Sequence, residues 1–458
     1  MKSTKIRLLV CLVIATLVFS VMAIGSFAAV TLEEQAVFEG YATLSEALEA
    51  AKNVNTGTAI INLGEGTIDE DVIIQQKPGL NLVIVGNNTT FDGQIEIDGQ
   101  PDGLYGTGTL TIKNINFASA EVADGSYIFA PKKNASNQMC YPHNVTVEGC
   151  TFTNLGESNS VVAIKLSSDV ANISVIDCTV NAGMHSLLQL PTGSKGNLTV
   201  SGCDVNATEG INLNSSVGDI TITDNTFNVV GYAVRVGQSG NGTDAPELAL
   251  TGNTIHSKDA AIVIRGSATK ASLSMEKNAV TTENNAPHIN VTVADASDVT
   301  VAAEKNYWGE NITVPVTSGI KVNVWESYSD ADFTELVAGG NAVAFVGDDH
   351  FFSLADAIAS LEGKTGDFTI TLAEGTIKED IVIVRNPEVN LTIVGNNTIF
   401  NGTITVDGNS ATYATGSLTI KNLNFDATDI SKDYCINFGV SNKNDTSYRY
   451  ITNVTIEG

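Results

Sequence analysis

Two arginines are the side chains best placed for binding chemistry in this sequence of 458 residues. Arg235 and Arg265 occupy short apolar segments at equivalent places in successive repeats. Val234 and Val236 flank the first and Ile264 precedes the second, so both arginines should point outward on one face. Guanidinium groups form strong, charge-assisted hydrogen bonds with carboxylates. The pattern predicts exposed, solvated side chains at Arg235 and Arg265, with contact to an anionic ligand as the alternative and catalysis as the least favoured role.

Three cysteines and several asparagines share one position of the repeat, about three residues after a short strand. In stacked coils such side chains form columns, where an amide can hydrogen-bond to the next amide and to turn backbone. Parallel Cβ vectors disfavour the torsion angle of a disulfide, and the chain has no Cys-x-x-Cys pair for a metal site. The position therefore predicts a buried structural ladder in which thiols replace amides. Its predicted members are Asn114, Cys150, Cys178, Cys203, Asn225, Asn253 and Asn278.

The residue patterns of common catalytic sites are absent from the sequence. It contains no Gly-x-Ser-x-Gly nucleophile elbow, no His-Glu-x-x-His and no phosphate loop, and the five histidines fall at unrelated phases of the repeat. Residues 347–350 (Gly-Asp-Asp-His) are predicted to form a solvated turn. The charged runs Asp69–Asp71 and Lys378–Asp380 are predicted to be solvated turns too, with weak calcium binding as the alternative. We therefore expect no catalytic residue, no cofactor-binding residue and no dedicated metal ligand.

The first 28 residues are predicted to be a secretory signal peptide. Lys2, Lys5 and Arg7 precede an apolar run from Leu8 to Ala23, and small residues follow it. The alternative is an uncleaved anchor helix, although this run is short for a bilayer core of about 30 Å. Removing residues 1–28 takes away three positive charges and no acid, so the formal net charge changes from −27 to −30. Such an acidic chain argues against nucleic acid as a partner. We expect the mature protein outside the cell or on its surface, without a membrane span.

A large internal duplication divides the rest of the chain. The segment Ile84–Thr89 returns as Ile393–Thr398, within a longer series of such matches. Residues 29–338 are predicted to form the first unit and residues 339–458 the beginning of the second. Because the second unit matches only the start of the first, we expect the sequence to be a fragment of a longer protein.

Each unit is predicted to open with a short amphipathic helix that caps the unit. Thr43 and Glu46 form a capping box at the start of a helix over about 43–52, followed by an apolar stripe. Ser353 and Asp356 have the same spacing in the second unit. Residues 306–328 are predicted to close the first unit.

Between these ends, short strands with a period of two recur about every 25 residues. Apolar residues flank a small or polar one in each strand, a second strand follows about ten residues later, and Gly, Asn and Asp separate the strands. Units of this length with two or three short strands are typical of the coils of a parallel β-helix. The sequence therefore predicts an all-β solenoid whose coils stack at about 4.8 Å.

The chain resembles secreted right-handed parallel β-helix proteins of the pectate-lyase-like fold. The resemblance lies in Ile-Val-Gly-Asn-Asn from Ile84, in coils of the form Val-Thr-Val-x-x-Cys/Asn-x-Phe, and in Asn-Tyr-Trp-Gly at residues 306–309. Microbial adhesin-like surface proteins have a similar Asn-Tyr-Trp-Gly element near the end of the helix. The resemblance implies a right-handed parallel β-helix, but this fold hosts enzymes and non-enzymes alike.

The resemblance leaves two functions open. The first is a non-catalytic adhesin, glycan-binding or structural surface protein, whose partners would be host or cell-wall glycans or surface proteins. The second is a lyase or hydrolase of an acidic polysaccharide, with calcium as a cofactor in the lyase case. Polygalacturonase-like hydrolases carry Asn-Thr-Asp, Gly-His-Gly and Arg-Ile-Lys elements, which this sequence lacks. No acid cluster recurs beside Arg235 and Arg265 to hold calcium, so we favour the first function.

Overall fold

The structure is a computed structural model. It describes residues 35–75, 79–98, 108–122, 125–130, 144–166, 170, 172–190, 196–214, 218–238, 245–293, 295–322, 324, 326–338, 342–347, 349–384, 389–407, 416–428, 434–439 and 453–458. The predicted signal peptide, residues 1–28, lies outside the described residues, as do positions 323 and 325 of the predicted closing element.

The first part of the chain forms a helix and a long series of short strands. The helix is α1 (Leu44–Ala51), and a single 3-10 turn covers Ala296–Asp298. The strands are β1 (Gln35–Glu39), β2 (Gly57–Asn62), β3 (Gly66–Asp69), β4 (Val72–Gln75), β5 (Leu80–Asp92), β6 (Ile95–Asp98), β7 (Thr109–Ser119), β8 (Ser126–Phe129), β9 (Asn144–Glu148), β10 (Thr151–Asn154), β11 (Val162–Lys165), β12 (Asn172–Ile176), β13 (Thr179–Met184), β14 (Ser186–Leu190), β15 (Leu198–Ser201), β16 (Asp204–Ala207), β17 (Ile211–Leu213), β18 (Asp219–Thr223), β19 (Thr226–Val229), β20 (Val234–Val236), β21 (Glu247–Thr251), β22 (Thr254–Ser257), β23 (Ile262–Gly266), β24 (Ser272–Glu276), β25 (Ala279–Thr282), β26 (Ile289–Val293), β27 (Thr300–Ala302) and β28 (Thr317–Ser318).

Parallel pairing stacks these strands into three ladders. The first ladder is β1-β2-β5-β7-β9-β12-β15-β18-β21-β24-β27, and the second is β3-β5-β7-β10-β13-β16-β19-β22-β25. The third ladder is β4-β6-β8-β11-β14-β17-β20-β23-β26-β28. Along the chain, successive coils give strands to the three ladders in turn, and the long strands β5 and β7 pass through the first two. The predicted all-β parallel β-helix is confirmed.

Alternation along each strand places one row of apolar side chains inside the coils. Register aligns Ile173 with Leu198 and then with Ile220, and all three are buried. Phenylalanines also stack along the axis, with ring centroids 5.6 Å apart for Phe91 and Phe117 and 5.1 Å apart for Phe117 and Phe152. A fully buried apolar side chain contributes about 2 kcal/mol, so these repeated rows supply much of the stability.

The rest of the chain repeats this plan over fewer coils. Its helix is α2 (Leu354–Ala359). Its strands are β29 (Glu326–Tyr328), β30 (Leu336–Ala338), β31 (Ala344–Val346), β32 (Asp349–Phe351), β33 (Gly366–Leu372), β34 (Gly375–Ile377), β35 (Ile381–Val384), β36 (Val389–Phe400), β37 (Ile404–Asp407), β38 (Ser417–Phe425), β39 (Ile436–Gly439) and β40 (Asn453–Glu457). Parallel ladders run β33-β36-β38-β40 and β35-β37-β39.

Packing divides the chain into two compact units. One consists of the described residues up to 309 together with 315–321, and the other of residues 310–314 and the described residues from 322 onward. Packing thus groups residues 322–338 with the second unit, whereas the duplicated sequence places its boundary after residue 338. The two divisions describe different properties, so the duplication boundary stays a prediction.

The capping helices begin as their sequences predict. The Thr43 side chain accepts a hydrogen bond from the Glu46 backbone N–H at 3.1 Å, and Ser353 does the same for Asp356 at 2.9 Å. Each charged run also makes a contact that the sequence did not indicate. In the first run, Glu70 accepts a hydrogen bond from the Leu44 backbone N–H. In the second unit Glu379 accepts equivalently from the α2 N-terminus. These acids are therefore helix caps, and the prediction of plain solvated turns was incomplete.

A column of polar side chains lies inside the corner between the first and second ladders. The Nδ2 atoms of Asn225, Asn253 and Asn278 each donate to the Oδ1 atom of the next asparagine at 2.8–2.9 Å, and the series ends at Asn306. Each Nδ2 also contacts backbone carbonyls of its own and the preceding coil, such as Thr223 and Val200 for Asn225. Each Oδ1 atom also accepts a backbone N–H, so the amides are satisfied without water.

Cys150, Cys178 and Cys203 continue this column, with free and buried thiols. Each Sγ lies 3.3–3.8 Å from backbone carbonyls equivalent to those that the amides contact in later coils. A hydrogen bond with Cys178, together with burial, raises the pKa of Cys150 and of Cys203. Cys150 and Cys203 therefore occupy the amide position as neutral thiols.

Asn114 does not belong to the column, contrary to the sequence prediction. Its φ of 57° puts it in the left-handed region, and its side chain is exposed at the corner. Register aligns Asn116 with Thr151, so Ile115 occupies the position of Cys150 and is buried. The prediction was wrong by one residue because the exposed corner residue, not the buried one, happens to be an asparagine.

Candidate ligand-binding site

The two predicted ligand-contact arginines lie on the outward face of neighbouring strands in the third ladder. Arg235 is in β20 and Arg265 is in β23, and the apolar residues before them are buried. Register pairs Arg235 with Val263, whereas Arg265 pairs with Thr292. The two arginines therefore share a face but are displaced by two residues along the strands.

Arg235 ends an outward row of polar residues that crosses the third ladder. Register aligns Lys165 with Gln189, Gln189 with Asn212, and Asn212 with Arg235. Neighbouring strands are about 4.8 Å apart, so the backbone positions of Lys165 and Arg235 are separated by about 14 Å. We call these four residues the polar row. It contains two cations, two amides and no acid.

Neighbouring side chains hold the Arg235 side chain in place. Its Nε donates to Asn212 Oδ1 at 3.1 Å, its guanidinium carbon lies 4.3 Å from the Tyr232 ring centroid, and one terminal nitrogen is 3.9 Å from Glu209 Oε1. The side chain is only 17% exposed. Burial lowers the pKa of Arg235, and the positive charge of Arg265 acts in the same direction. A side chain held in advance loses less entropy when a ligand binds.

Glu209 is shared by three side chains. Its Oε2 accepts a hydrogen bond from the Tyr232 hydroxyl and lies 3.5 Å from His185 Nε2, while its Oε1 faces Arg235. Burial raises the pKa of Tyr232, and the hydrogen bond to Glu209 adds to the rise. The phenol therefore stays protonated and acts as a donor. We call His185, Glu209, Tyr232 and Arg235 the Arg235 cluster; successive coils supply its members.

Arg265 has a different environment. Its Nε donates to the Gly237 carbonyl at 3.2 Å, and no carboxylate in the described part of the chain forms an ion pair with it. Among the described residues around Arg235 and Arg265, the contacts thus involve two guanidinium groups and one carboxylate, Glu209, whose two oxygens are already engaged. Locally these groups leave positive charge, although the formal net charge of the chain is −27. Arg265 can therefore bind a ligand carboxylate directly, and the positive charge of Arg235 nearby adds to the attraction.

Sequence reasoning missed His185, Glu209, Asn212 and Tyr232, although the repeat carries a usable pattern for three of them. Glu209 stands three residues before Asn212, and Tyr232 stands three residues before Arg235. Aligning the coils by their third strands would have placed these pairs side by side. The contact of His185 with Glu209 depends on the shape of the turn between β13 and β14, which no repeat position specifies.

The other titratable groups that the structure describes do not assemble into a second site of this kind. His256 Nε2 lies 3.4 Å from Glu283 Oε1 at an exposed position, and His288 is buried. Residues 349–350 begin the hairpin strand β32, which pairs antiparallel with β31. Within the described ranges, no group of three or more His, Cys, Asp or Glu could hold a metal ion. Calcium binding stays an untested alternative. No described helix has the length and apolarity to cross a membrane.

Comparison with known proteins adds little beyond the architecture. No protein-family model and no curated protein matches this chain. Among solved structures, it is similar to an arginine-to-alanine mutant of AlyGC, an alginate lyase of the PL6 family. The two share 13% identity at a TM-score of 0.24, over 93% of this chain and 76% of the other. A likeness at this level leads to no conclusion about activity.

Proposed function

We propose that this protein is a secreted or cell-surface β-helix protein that binds acidic glycans without cleaving them. The single observation that carries the proposal is the positive charge left over on the outward face at Arg235 and Arg265. Uronate carboxylates are matched to guanidinium groups in charge and geometry. A glycan lying across the coils would also meet the amides and the lysine of the polar row at steps of about 4.8 Å. Host or cell-wall glycans are the partners that this chemistry fits.

The contacts within the Arg235 cluster favour binding over catalysis. Cleavage of a uronate by β-elimination needs a group that accepts the proton beside the carboxylate. Tyr232 keeps its own proton because its pKa is raised, and both oxygens of Glu209 are engaged. His185 Nε2 is directed at Glu209, at 3.5 Å.

An acidic-polysaccharide lyase is the second candidate, favoured by the presence of His185, Tyr232 and Arg235 in one cluster. In such a reaction Arg235 would neutralise the uronate carboxylate and His185 would take the neighbouring carbon-bound proton. A double bond would form as the glycosidic C–O bond breaks, and Tyr232 would protonate the leaving oxygen. This route requires His185 to turn away from Glu209.

Titration of the full chain with hexagalacturonate in the presence of calcium tests the proposal and separates the two candidates. Calorimetry reports binding, and ultraviolet absorbance reports an unsaturated product. We expect saturable binding and no unsaturated product. Arg265→Gln should weaken binding about tenfold, because a charged hydrogen bond contributes about 1.5 kcal/mol. Lys258→Gln is the matched control, since it removes one charge from an exposed position outside the site.

The possible outcomes point in different directions. Unsaturated product that disappears in His185→Ala would establish the lyase and contradict a non-catalytic role. We call the outward face around Arg235 and Arg265 the arginine face. Absence of binding to hexagalacturonate, or equal weakening by Lys258→Gln and Arg265→Gln, would show that the arginine face is not a specific acidic-glycan site.

A further inference from the structure

A concave polar groove lies at the corner between the first and second ladders, in the coils of β5, β7 and β9. It has a volume of about 560 Å³, and none of its ten lining residues is charged. Four of them are Asn87, Asn88, Asn114 and Asn116, and all four are exposed. The groove therefore presents amide donors and acceptors to solvent without any formal charge.

The backbone conformation of two asparagines creates the groove. Asn88 and Asn114 have φ values of 51° and 57°, so their side chains project from the corner. Gly86 and Gly149 then pack against Asn114. A Cβ atom at Gly86 would lie 2.2 Å from the Asn114 carbonyl oxygen, and one at Gly149 would lie 2.6 Å from Asn114 Oδ1. A side chain at Gly86 would therefore collide with backbone, whereas one at Gly149 would displace the Asn114 side chain, so glycine at both positions keeps the corner open.

Buried Thr89 forms the floor of the groove and is held by hydrogen bonds, whereas the exposed asparagines form its rim and face solvent. The buried Thr89 hydroxyl donates to the Gly64 carbonyl at 2.7 Å and accepts from the Asn87 backbone N–H at 3.0 Å. On the rim, the contact of Asn116 Nδ2 within the described part of the chain is a long one, at 3.4 Å from Thr90 Oγ1. The rim amides thus differ from the amides of the inner column, whose donors and acceptors are hydrogen-bonded to one another and to backbone.

The second unit repeats the same corner. Asn397 and Asn422 have φ values of 49° and 52° and are exposed. A Cβ atom at Gly395 would lie 2.2 Å from the Asn422 carbonyl oxygen, and one at Gly458 would lie 2.5 Å from Asn422 Oδ1. The corner geometry is therefore present in each unit, with Ile399 in place of Thr90 at the rim.

We propose that this corner groove binds a neutral carbohydrate, with one site in each unit. Amides and hydroxyls each combine a donor with an acceptor, which matches the hydroxyl groups of a sugar. The lack of charge gives no advantage to uronates or other anions. The inference concerns a different place and a different ligand chemistry from the arginine face, and it does not depend on the proposed function.

Two variants and a matched control test this site in the full chain. Asn114→Gly and Asn422→Gly remove a rim amide while keeping a residue that accepts positive φ. Asp177→Gly makes the same kind of change at a corner residue with a φ of 51° that does not line the groove. Cellohexaose and mannohexaose are the probes, and binding is measured by calorimetry with thermal melting as the folding control.

We expect at least one neutral probe to bind at two sites per chain, with a Kd on the order of 1 mM for such small polar sites. Asn114→Gly and Asn422→Gly should each remove one site, whereas Asp177→Gly and Arg265→Gln should retain both. Absence of saturable binding of both probes would overturn the inference. Loss of sites in Asp177→Gly would also overturn it, because corner geometry rather than the rim amides would then be responsible. Weakening by Arg265→Gln would assign the binding to the arginine face instead.

Discussion

The inner column and the arginine face of the first unit use polar groups in opposite ways. In the column, Asn225, Asn253 and Asn278 fill their amide hydrogen-bonding capacity with one another and with backbone. On the outer face, Arg235 is held by its neighbours and Arg265 has no carboxylate partner among the described residues. A polar group whose hydrogen bonds are all made within the protein therefore supports the fold, whereas one with a donor left over is available to a ligand.

The column itself contains a second contrast, between amides and thiols at the same position. An asparagine in the column both donates and accepts strong hydrogen bonds, so its neighbours depend on it. A cysteine there offers only a weak donor, and each Sγ contacts carbonyls at 3.3 Å or more. We therefore expect the amide segment to be far less tolerant of substitution than the thiol segment.

The largest effect is expected for Asn278→Ala. The substitution leaves the buried backbone N–H of Asn253 without its acceptor at 3.1 Å, and it also removes the 2.8 Å bond from Asn253 Nδ2, which keeps only its carbonyl acceptors. Each buried group left unsatisfied costs about 1–3 kcal/mol, so the free energy of unfolding should fall by about 3 kcal/mol. Urea unfolding followed by circular dichroism measures this, and a loss below about 1 kcal/mol would mean that the ladder is not structural.

A smaller effect is expected from acidification, through His288. Its Nδ1 accepts the Val316 backbone N–H at 2.8 Å, its ring lies against Trp308, and burial lowers its pKa to about 4. Above the unfolded pKa of about 6.5 both states are neutral, so no stability is lost. Between pH 6.5 and 4 the unfolded chain binds a proton that the folded chain does not, so stability falls as the pH drops.

The pH dependence has a direct control in another histidine. Each unit of pKa difference corresponds to about 1.4 kcal/mol, so the loss at pH 5 should be about 2 kcal/mol. Thermal melting at pH 7 and pH 5 measures it. His288→Gln should remove this part of the pH dependence, whereas His256→Gln, at an exposed position, should not. Equal pH dependence in both variants would contradict a role for buried His288.

The smallest effect is expected for Cys178→Ala. The thiol packs in the column and makes weak contacts to the Val147 and Ile176 carbonyls, at 3.6 and 3.3 Å, and to the neighbouring thiols of Cys150 and Cys203. Replacing it removes one buried atom and leaves no strong donor unsatisfied, so the cost should be about 1 kcal/mol. A loss equal to that of Asn278→Ala, measured by the same urea unfolding, would remove the distinction between the two segments.

Local sequence patterns predicted the parts of the structure that repeat. The capping residue Thr43 and the inward ladder position of Asn225 follow from spacing within one coil. Asn114 was misassigned because a residue type alone does not separate a corner from an inward position. The shared Cys/Asn-x-Phe spacing would have selected Ile115, which stands two residues before Phe117 as Cys150 does before Phe152.

The candidate site was harder to predict because its contacts cross coils. Sequence placed Arg235 and Arg265 on one face, but the offset between them depends on the register of β20 and β23. The engagement of Glu209 by His185 and Tyr232 depends on side-chain directions at turns that differ in length from coil to coil. Such contacts arise from stacking, which single-coil periodicity does not specify.

We propose that the column supports the fold and that the arginine face binds the ligand. Measuring both the unfolding free energy and the Kd for hexagalacturonate in Asn278→Ala and in Arg265→Gln tests this division of roles. We expect Asn278→Ala to lose about 3 kcal/mol of stability with its Kd unchanged, whereas Arg265→Gln should keep its stability and bind about tenfold more weakly. An unchanged Kd in Arg265→Gln, or an equal loss of affinity in both variants, would contradict it.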